Sequence, residues 1–118
     1  IETNVSPENL NIIGDEKMLE QVLLNIIKNA IEALLNQSKG EILMQAKEID
    51  DEVVLRIKDN GPGIPIAELD KIFIPFYTTK EEGSGIGLSF SRQIMHIHGG
   101  SIQIHSEENK GTEVVLSF

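Results

Sequence analysis

The chain has 118 residues, 40% of them hydrophobic, which suffices for one domain with a proper core. Its formal net charge of −9 argues against a nucleic-acid-binding surface, and the absence of cysteine excludes disulfides and thiol chemistry. No run approaches the ~18 apolar residues of a membrane-spanning helix. We therefore expect a single domain over residues 1–118 that contacts neither nucleic acid nor membrane.

The first predicted elements are strand-like segments at residues 1–5 and 11–13, followed by a helix at residues 15–36. Apolar side chains recur at helical spacing in this helix, and Gly14 and Asp15 supply its start signal. At about 100° per residue, one polar stripe roughly opposite the apolar face consists of Gln21, Asn25, Asn29 and Glu32. Asparagine is a poor helix former, so the pair favours a role such as Mg²⁺ ligation by an amide oxygen. A merely polar outer face explains this helix equally well.

The next predicted elements are two strands, residues 41–49 and 52–58, which pair as a hairpin across residues 50–51. The segment Asp59-Asn60-Gly61-Pro62-Gly63-Ile64 follows directly. A carboxylate there can accept a hydrogen bond from the exocyclic amine of a purine, and glycines let the backbone approach a flat ring or a phosphate. Taken alone, the segment is more typical of an exposed turn.

A short helix is predicted at residues 65–72, because proline suits the first helical position. Residues 83–89 then place three glycines before a second amphipathic helix, which should stop at residues 99–100. Backbone N–H groups at such a start, together with the helix dipole, can bind an anion. A flexible hinge explains these glycines as well.

Two more strands, residues 101–106 and 112–118, are predicted to form a closing hairpin. The order of the elements predicts an α/β fold of the α+β type, a two-layer sandwich. In it a mixed, mostly antiparallel sheet packs on three helices that cover one face.

Four segments carry a resemblance to a known family. Residues 25–30 match an N box, 59–63 a first glycine box, 72–80 an F box and 83–88 a second glycine box. The chain resembles the catalytic and ATP-binding domain of bacterial sensor histidine kinases, within the ATPase superfamily of gyrase, the Hsp90 chaperones and the MutL proteins. This implies a Bergerat-type ATP-binding fold. Only six residues separate Phe76 from Gly83, which is similar to nitrogen-regulatory and sporulation kinases with a Thr-Thr-Lys lid.

The resemblance implies a site for ATP or ADP with Mg²⁺. Asn29 is the expected metal ligand, Asn25 would face the phosphates, and Asp59 would accept from the adenine amino group. No residue is assigned as a catalyst, but Asn25 and Lys80 are expected to position the phosphates. The base and sugar pocket would include Gly61 and Gly63.

Further nucleotide contacts are implied near the lid, where glycine amides would face the phosphates. The candidates are Ile64, Phe76, Thr79, Gly83, Gly85, Ile86, Gly87 and Leu88. Phe73 and Phe76 are expected mainly to anchor the lid to the body of the domain.

Three functions are compatible with this superfamily: histidine kinase, ATP hydrolase and anti-sigma serine kinase. In hydrolases and serine kinases the expected general base is a glutamate four residues before the metal-binding asparagine. Asn25 stands at that place here and Gln21 one turn earlier, and neither is a base. A histidine nucleophile needs less help, because neutral imidazole carries a lone pair near pH 7. Transfer of the γ-phosphate to a histidine is therefore favoured, with ATP hydrolase or anti-sigma serine kinase as the alternative.

The chain's own histidines are His96, His98 and His105, and all three are expected to be structural. The first two lie where a cation complements a helix C-terminus. The phosphoacceptor is therefore expected on the parent protein's helical dimerisation domain, outside these 118 residues, with a response regulator as an indirect partner. We expect a cytoplasmic domain, and a membrane anchor elsewhere in the parent protein is left open.

Overall fold

The computed structural model describes residues 1–6, 10–77 and 86–118, in which five strands and three helices lie. The strands are β1 (Glu2–Ser6), β2 (Ile42–Ile49), β3 (Glu52–Asp59), β4 (Ser101–Glu107) and β5 (Gly111–Ser117). The helices are α1 (Glu16–Ala33), α2 (Ile66–Leu69) and α3 (Gly87–Ile97). None of these helices is both long and apolar enough to cross a membrane.

The five strands form one mixed sheet in the order β1-β2-β3-β5-β4. β1 runs parallel to β2, and the other three neighbouring pairs are antiparallel. The β2–β3 hairpin turns at Asp50 and Asp51, whose φ angles are 51° and 66°. Two successive positive φ angles are the geometry of a type I′ turn, which follows the natural twist of a hairpin. The predicted mixed, mostly antiparallel sheet is confirmed.

The hydrophobic core lies between one face of this sheet and the helices α1 and α3. Its residues recur at helical spacing in α1 and alternate along the strands, as one-sided burial requires. The buried core consists of Leu19, Val22, Ile26, Ala30, Ile42, Ile57, Ile94, Met95, Val114 and Leu116. The predicted two-layer arrangement, with helices over one face, therefore holds, but the core is formed with two helices rather than the predicted three, because α2 buries none of its residues.

The ends of the two long helices agree with their predicted signals. The Asp15 side chain accepts a hydrogen bond from the backbone N–H of Met18 at 2.9 Å, which makes Asp15 the N-cap of α1. At the other helix, His98 is the C-cap of α3, and Gly99 follows it with φ 73°. A positive φ directly after a helix suits glycine, which has no Cβ to clash.

Two local predictions are wrong. Residues 11–13 form no strand, because β1 already occupies the outer edge of β2. The helix predicted at residues 65–72 is only the single turn α2, which buries none of its residues and so lacks the packing that stabilises a longer helix. His98 is structural, as expected, because its ring bonds to the backbone N–H of Asp15 and lies 2.8 Å from the carbonyl oxygen of Ile94.

Candidate functional site

Asp59 is the last residue of β3 and is 6% exposed, on the face of the sheet that the helices cover. Its Oδ1 accepts a hydrogen bond from the backbone N–H of Gly61 at 2.9 Å. Burial raises the pKa of Asp59, and hydrogen bonds from the backbone N–H groups of Gly61 and Thr112 oppose that rise without cancelling it. A carboxylate offers about four acceptor positions. Asp59 can therefore accept from a further donor.

The turn after Asp59 is tightly enclosed. A Cβ on Gly61 would stand 2.9 Å from the Asp59 Oδ1 and 3.2 Å from the Ala33 Cβ. Gly63 has φ 72°, and a Cβ there would overlap the carbonyl oxygen of Glu107. Both positions therefore require glycine, because the backbone of the turn passes against α1 on one side and the β4–β5 hairpin on the other.

Asn60, between these residues, is a structural residue. Its Oδ1 accepts from the backbone N–H of Glu41 at 2.7 Å, and its Nδ2 donates to the carbonyl of Lys39 at 2.9 Å. The amide of Gln37 donates to the Asn60 carbonyl at 2.7 Å. These bonds fasten the loop before β2 to the glycine turn, so the turn has a defined position beside Asp59.

Helix α1 connects this turn with the start of α3. Asn25, Asn29 and Ala33 are spaced by four residues and so lie in one row along the helix. Ala33 contacts Gly61 at one end, and at the other end a Cβ on Gly87 would stand 3.7 Å from the Asn25 Cγ. At a rise of 1.5 Å per residue the row spans about 12 Å. Asn29 is half-buried midway along it and takes part in an interaction of its own.

Asn25 faces the first turn of α3. Its Nδ2 lies 3.4 Å from the carbonyl oxygen of Gly87 and 3.5 Å from the Ser91 Oγ, both long contacts. Gln21 donates from Nε2 to the Asn25 Oδ1 at 3.1 Å. The buried Ser91 hydroxyl donates to the Gly87 carbonyl at 2.8 Å. The stripe expected opposite the core is therefore partly covered by α3, and the Asn25 amide is directed towards Gly87 at the start of that helix.

The other predicted site residues are placed as follows. Ile64 is half-buried, and its N–H donates to the Ser106 Oγ at 2.7 Å. Leu88 is half-buried at the start of α3, and Ile86, its N-cap, is exposed. Outside the described residues lie Thr79, Lys80, Gly83 and Gly85.

The expectation that both phenylalanines anchor the lid is wrong for Phe76. Phe76 is 78% exposed, on a backbone with φ 68°, so it packs little against the body of the domain. Phe73 is half-buried, and the Arg92 guanidinium lies 5.1 Å from the centroid of its ring. This cation–π contact joins the segment after α2 to α3.

Sequence reasoning missed two hydroxyl side chains that share a row with Asp59. Thr112 on β5 pairs directly with Asp59, and Ser106 on β4 pairs directly with Thr112. Directly paired residues project on the same face of a sheet, so all three lie on the helix-covered side. The available signal was the alternation of β4, in which Ser106 continues the inward-facing series of Ile102 and Ile104.

Comparison with known proteins identifies the family of this chain. Residues 14–118 match the profile of the family described as "Histidine kinase-, DNA gyrase B-, and HSP90-like ATPase". Sporulation kinase A of Bacillus subtilis is 38% identical over 118 residues, which is 100% of this chain and 19% of that protein. The chain thus spans only about a fifth of the curated relatives it matches.

Solved structures of similar proteins extend over nearly the whole chain. The catalytic domain of histidine kinase ThkA has a TM-score of 0.85 at 34% identity, covering 98% of this chain and 75% of that one. Full-length ShkA in complex with AMPPNP has a TM-score of 0.84 at 30% identity, covering 98% of this chain and 24% of that one. The chain therefore belongs to the histidine kinase-, DNA gyrase B- and HSP90-like ATPase family, within which it is a histidine kinase catalytic domain with sporulation kinases among its relatives.

Proposed function

We propose that this domain binds Mg-ATP between α1, the glycine turn and the start of α3, and transfers the γ-phosphate to a histidine on a separate helical dimerisation domain. The observation that carries the proposal is the row Asn25, Asn29 and Ala33. It runs from Gly87 to the turn beside Asp59 over about 12 Å, a length suited to an extended nucleotide.

The base would bind at the Asp59 end of this row. A buried carboxylate with spare acceptor positions suits an exocyclic amine, and the N–H of Gly61 helps to hold that carboxylate in place. Ile64, which follows the turn, would add apolar contact. These features support adenine as the base, in agreement with the AMPPNP bound to the similar protein ShkA.

The phosphates would bind at the opposite end, at the start of α3. The N-cap residue of this helix, Ile86, has an apolar side chain that makes no capping hydrogen bond, and the first N–H groups of the helix would donate to an anion. Asn25 would face the same region. Of the predicted lid contacts, Thr79, Lys80, Gly83 and Gly85 stay part of the proposal without a described position. The net charge of −9 repels a triphosphate at long range, so local amides and a metal ion must offset it.

Asn29 would contribute one oxygen to Mg²⁺. Within residues 1–6, 10–77 and 86–118, no three His, Asp or Glu side chains are grouped as a metal site. A single amide oxygen from Asn29 fits Mg²⁺, because this ion commonly keeps several waters and takes its remaining oxygens from one or two protein groups and the phosphates. When bound, the ion would neutralise charge on the transferring phosphoryl group.

The chain's own part in the reaction is positioning. Positions 21 and 25 are occupied by amides, which cannot take a proton from water or a serine hydroxyl, whereas a neutral histidine needs no such base. The acceptor histidine would come from the parent protein's dimerisation domain. A response regulator would receive the phosphoryl group afterwards, and we place these events in the cytoplasm.

Phosphotransfer in trans tests the proposal. The 118-residue domain is incubated with γ-labelled ATP and Mg²⁺, alone and with the dimerisation hairpin of its parent kinase added. We expect acid-labile, base-stable label on the hairpin only. Rapid phosphate release without the hairpin would instead indicate a hydrolase, and acid-stable label on a serine would indicate an anti-sigma type kinase.

A further inference from the structure

The Ser106 hydroxyl lies at the centre of three hydrogen bonds beside the proposed base pocket. Its Oγ is 2.7 Å from the backbone N of Ile64, 3.0 Å from the carbonyl oxygen of Gly111 and 2.9 Å from the Thr112 Oγ1. Ser106 thereby joins the end of the glycine turn to both strands of the closing hairpin. All three distances are those of well-formed hydrogen bonds.

The directions of these bonds follow from simple counting. A hydroxyl has one hydrogen to donate and two lone pairs to accept with. The N–H of Ile64 can only donate, so it occupies one lone pair, and the carbonyl of Gly111 can only accept, so it takes the hydrogen. Only the second lone pair remains for the 2.9 Å contact with Thr112. The Thr112 hydroxyl must therefore donate to Ser106.

This direction determines what Thr112 offers to the pocket. With its hydrogen committed to Ser106, the Thr112 oxygen presents only lone pairs. It lies beside the carboxylate of Asp59, because the two residues are directly paired on neighbouring strands and project on the same face. The side of the proposed base pocket that Asp59 and Thr112 form therefore presents only hydrogen-bond acceptors.

We propose that Ser106 is a specificity-determining positioning residue that holds the Thr112 hydroxyl as an acceptor, so that the pocket favours a 6-amino purine over a 6-oxo purine. The inference rests on the proposed function, since it assumes that the base binds at Asp59. A 6-amino group donates to these acceptors. A 6-oxo group would face acceptors without a hydrogen between them, which leaves buried polar atoms unpaired.

Titration of Mg-ADP and Mg-IDP into the 118-residue domain by calorimetry tests this role. The two nucleotides differ in the 6-substituent and in the adjoining N1 proton, and nowhere else. Ser106→Ala frees the Thr112 hydroxyl to donate to a 6-oxo group, so the preference for ADP over IDP should fall by roughly three- to tenfold, as expected for one hydrogen bond. Ser106→Thr, which keeps the hydroxyl, should restore the preference.

A double-mutant cycle separates this role from a merely structural one. In a Thr112→Val background no hydroxyl is left to orient, so adding Ser106→Ala should leave the ADP to IDP ratio unchanged. Ser101→Ala is the matched control, since Ser101 is exposed and lies on the same strand but on its opposite face. Ser106→Cys replaces the alanine variant in the same cycle if the latter does not fold.

Two outcomes would overturn the inference while leaving the proposed function in place. If a folded Ser106→Ala domain weakens ADP and IDP equally, Ser106 supports the hairpin without setting specificity. If the wild type binds ADP and IDP equally well, there is no preference for Ser106 to set. Failure of the wild type to bind ADP at all would overturn the proposed function together with this inference, and so is distinct from both.

Discussion

The imidazole of His98 joins the start of α1 to the end of α3. Its Nε2 accepts a hydrogen bond from the backbone N–H of Asp15 at 2.9 Å, and its Nδ1 lies 2.8 Å from the carbonyl oxygen of Ile94. A backbone N–H can only donate and a carbonyl can only accept, so the ring is neutral with its hydrogen on Nδ1. Gly14 passes so close that a Cβ there would be 2.6 Å from the His98 Cδ2.

His98→Ala should lower the free energy of unfolding by about 1–2 kcal/mol, because two hydrogen bonds and the contact with Gly14 are lost. Urea unfolding followed by circular dichroism measures this change. His96→Ala is the control, since His96 is exposed in the last turn of the same helix. Equal destabilisation by both variants would show that the link to α1 contributes nothing.

Asp59→Asn should weaken ADP binding by roughly 1.5–3 kcal/mol, since an acceptor that carries charge is replaced by an amide of the same shape. Calorimetric titration of ADP and GDP into the two proteins checks this. Asp70→Asn makes the same chemical change at an exposed position after α2 and should bind like the wild type. Unchanged ADP affinity in Asp59→Asn, or equal binding of GDP by the wild type, would remove Asp59 from the base pocket.

Without nucleotide, the difference in stability between the wild type and Asp59→Asn should depend on pH. Burial raises the pKa of Asp59 in the folded state, so between its ordinary and its raised pKa the folded protein binds more protons than the unfolded chain. The Asp59 contribution therefore becomes less favourable as pH rises through this window. The free energy of unfolding of Asp59→Asn should therefore rise relative to that of the wild type from acid towards neutral pH. Urea unfolding of both proteins at several pH values measures this difference. If the free energy of unfolding of Asp59→Asn minus that of the wild type stays constant or falls with rising pH, a raised pKa is contradicted.

Asn29→Ala should abolish most of the Mg²⁺ dependence of ATP binding while the domain stays folded. The reason is that it removes the oxygen proposed to bind the ion without changing the apolar face of α1. Titrations with Mg²⁺ and with EDTA measure the dependence. Glu20→Ala changes an exposed carboxylate on the same helix and should retain it. Full Mg²⁺ dependence in a folded Asn29→Ala domain would show that Asn29 is not a Mg²⁺ ligand.

Gly63→Ala should destabilise the domain more than Gly99→Ala does. Both glycines have nearly the same positive φ, 72° and 73°, so both substitutions carry similar backbone strain of about 1 kcal/mol. Only at Gly63 would the added Cβ overlap another backbone, that of Glu107, whereas nothing lies within 4 Å at Gly99. The two urea midpoints give the difference directly. Equal midpoints would mean that the glycine turn is not closely packed against the β4–β5 hairpin.

The sequence by itself determined most of the elements and the family. Two alternating segments separated by two aspartates predicted the β2–β3 hairpin, and Asp15 and Gly99 marked the beginning of α1 and the end of α3. These features are local, because periodicity, capping and positive φ depend on residues a few positions apart. The four motifs were sufficient for the family because their order and spacing are specific in combination.

Tertiary structure decided what depends on partners distant in the sequence. Residues 11–13 resembled a strand, but the sheet edge they needed was occupied by β1. The ring of His98 became a neutral link because Asp15, 83 positions away, presents an N–H to it. The row of Asp59, Thr112 and Ser106 exists only because β5 pairs with β3 on one side and with β4 on the other. Hydrogen-bond direction is a property of such assembled neighbours, and no local pattern encodes it.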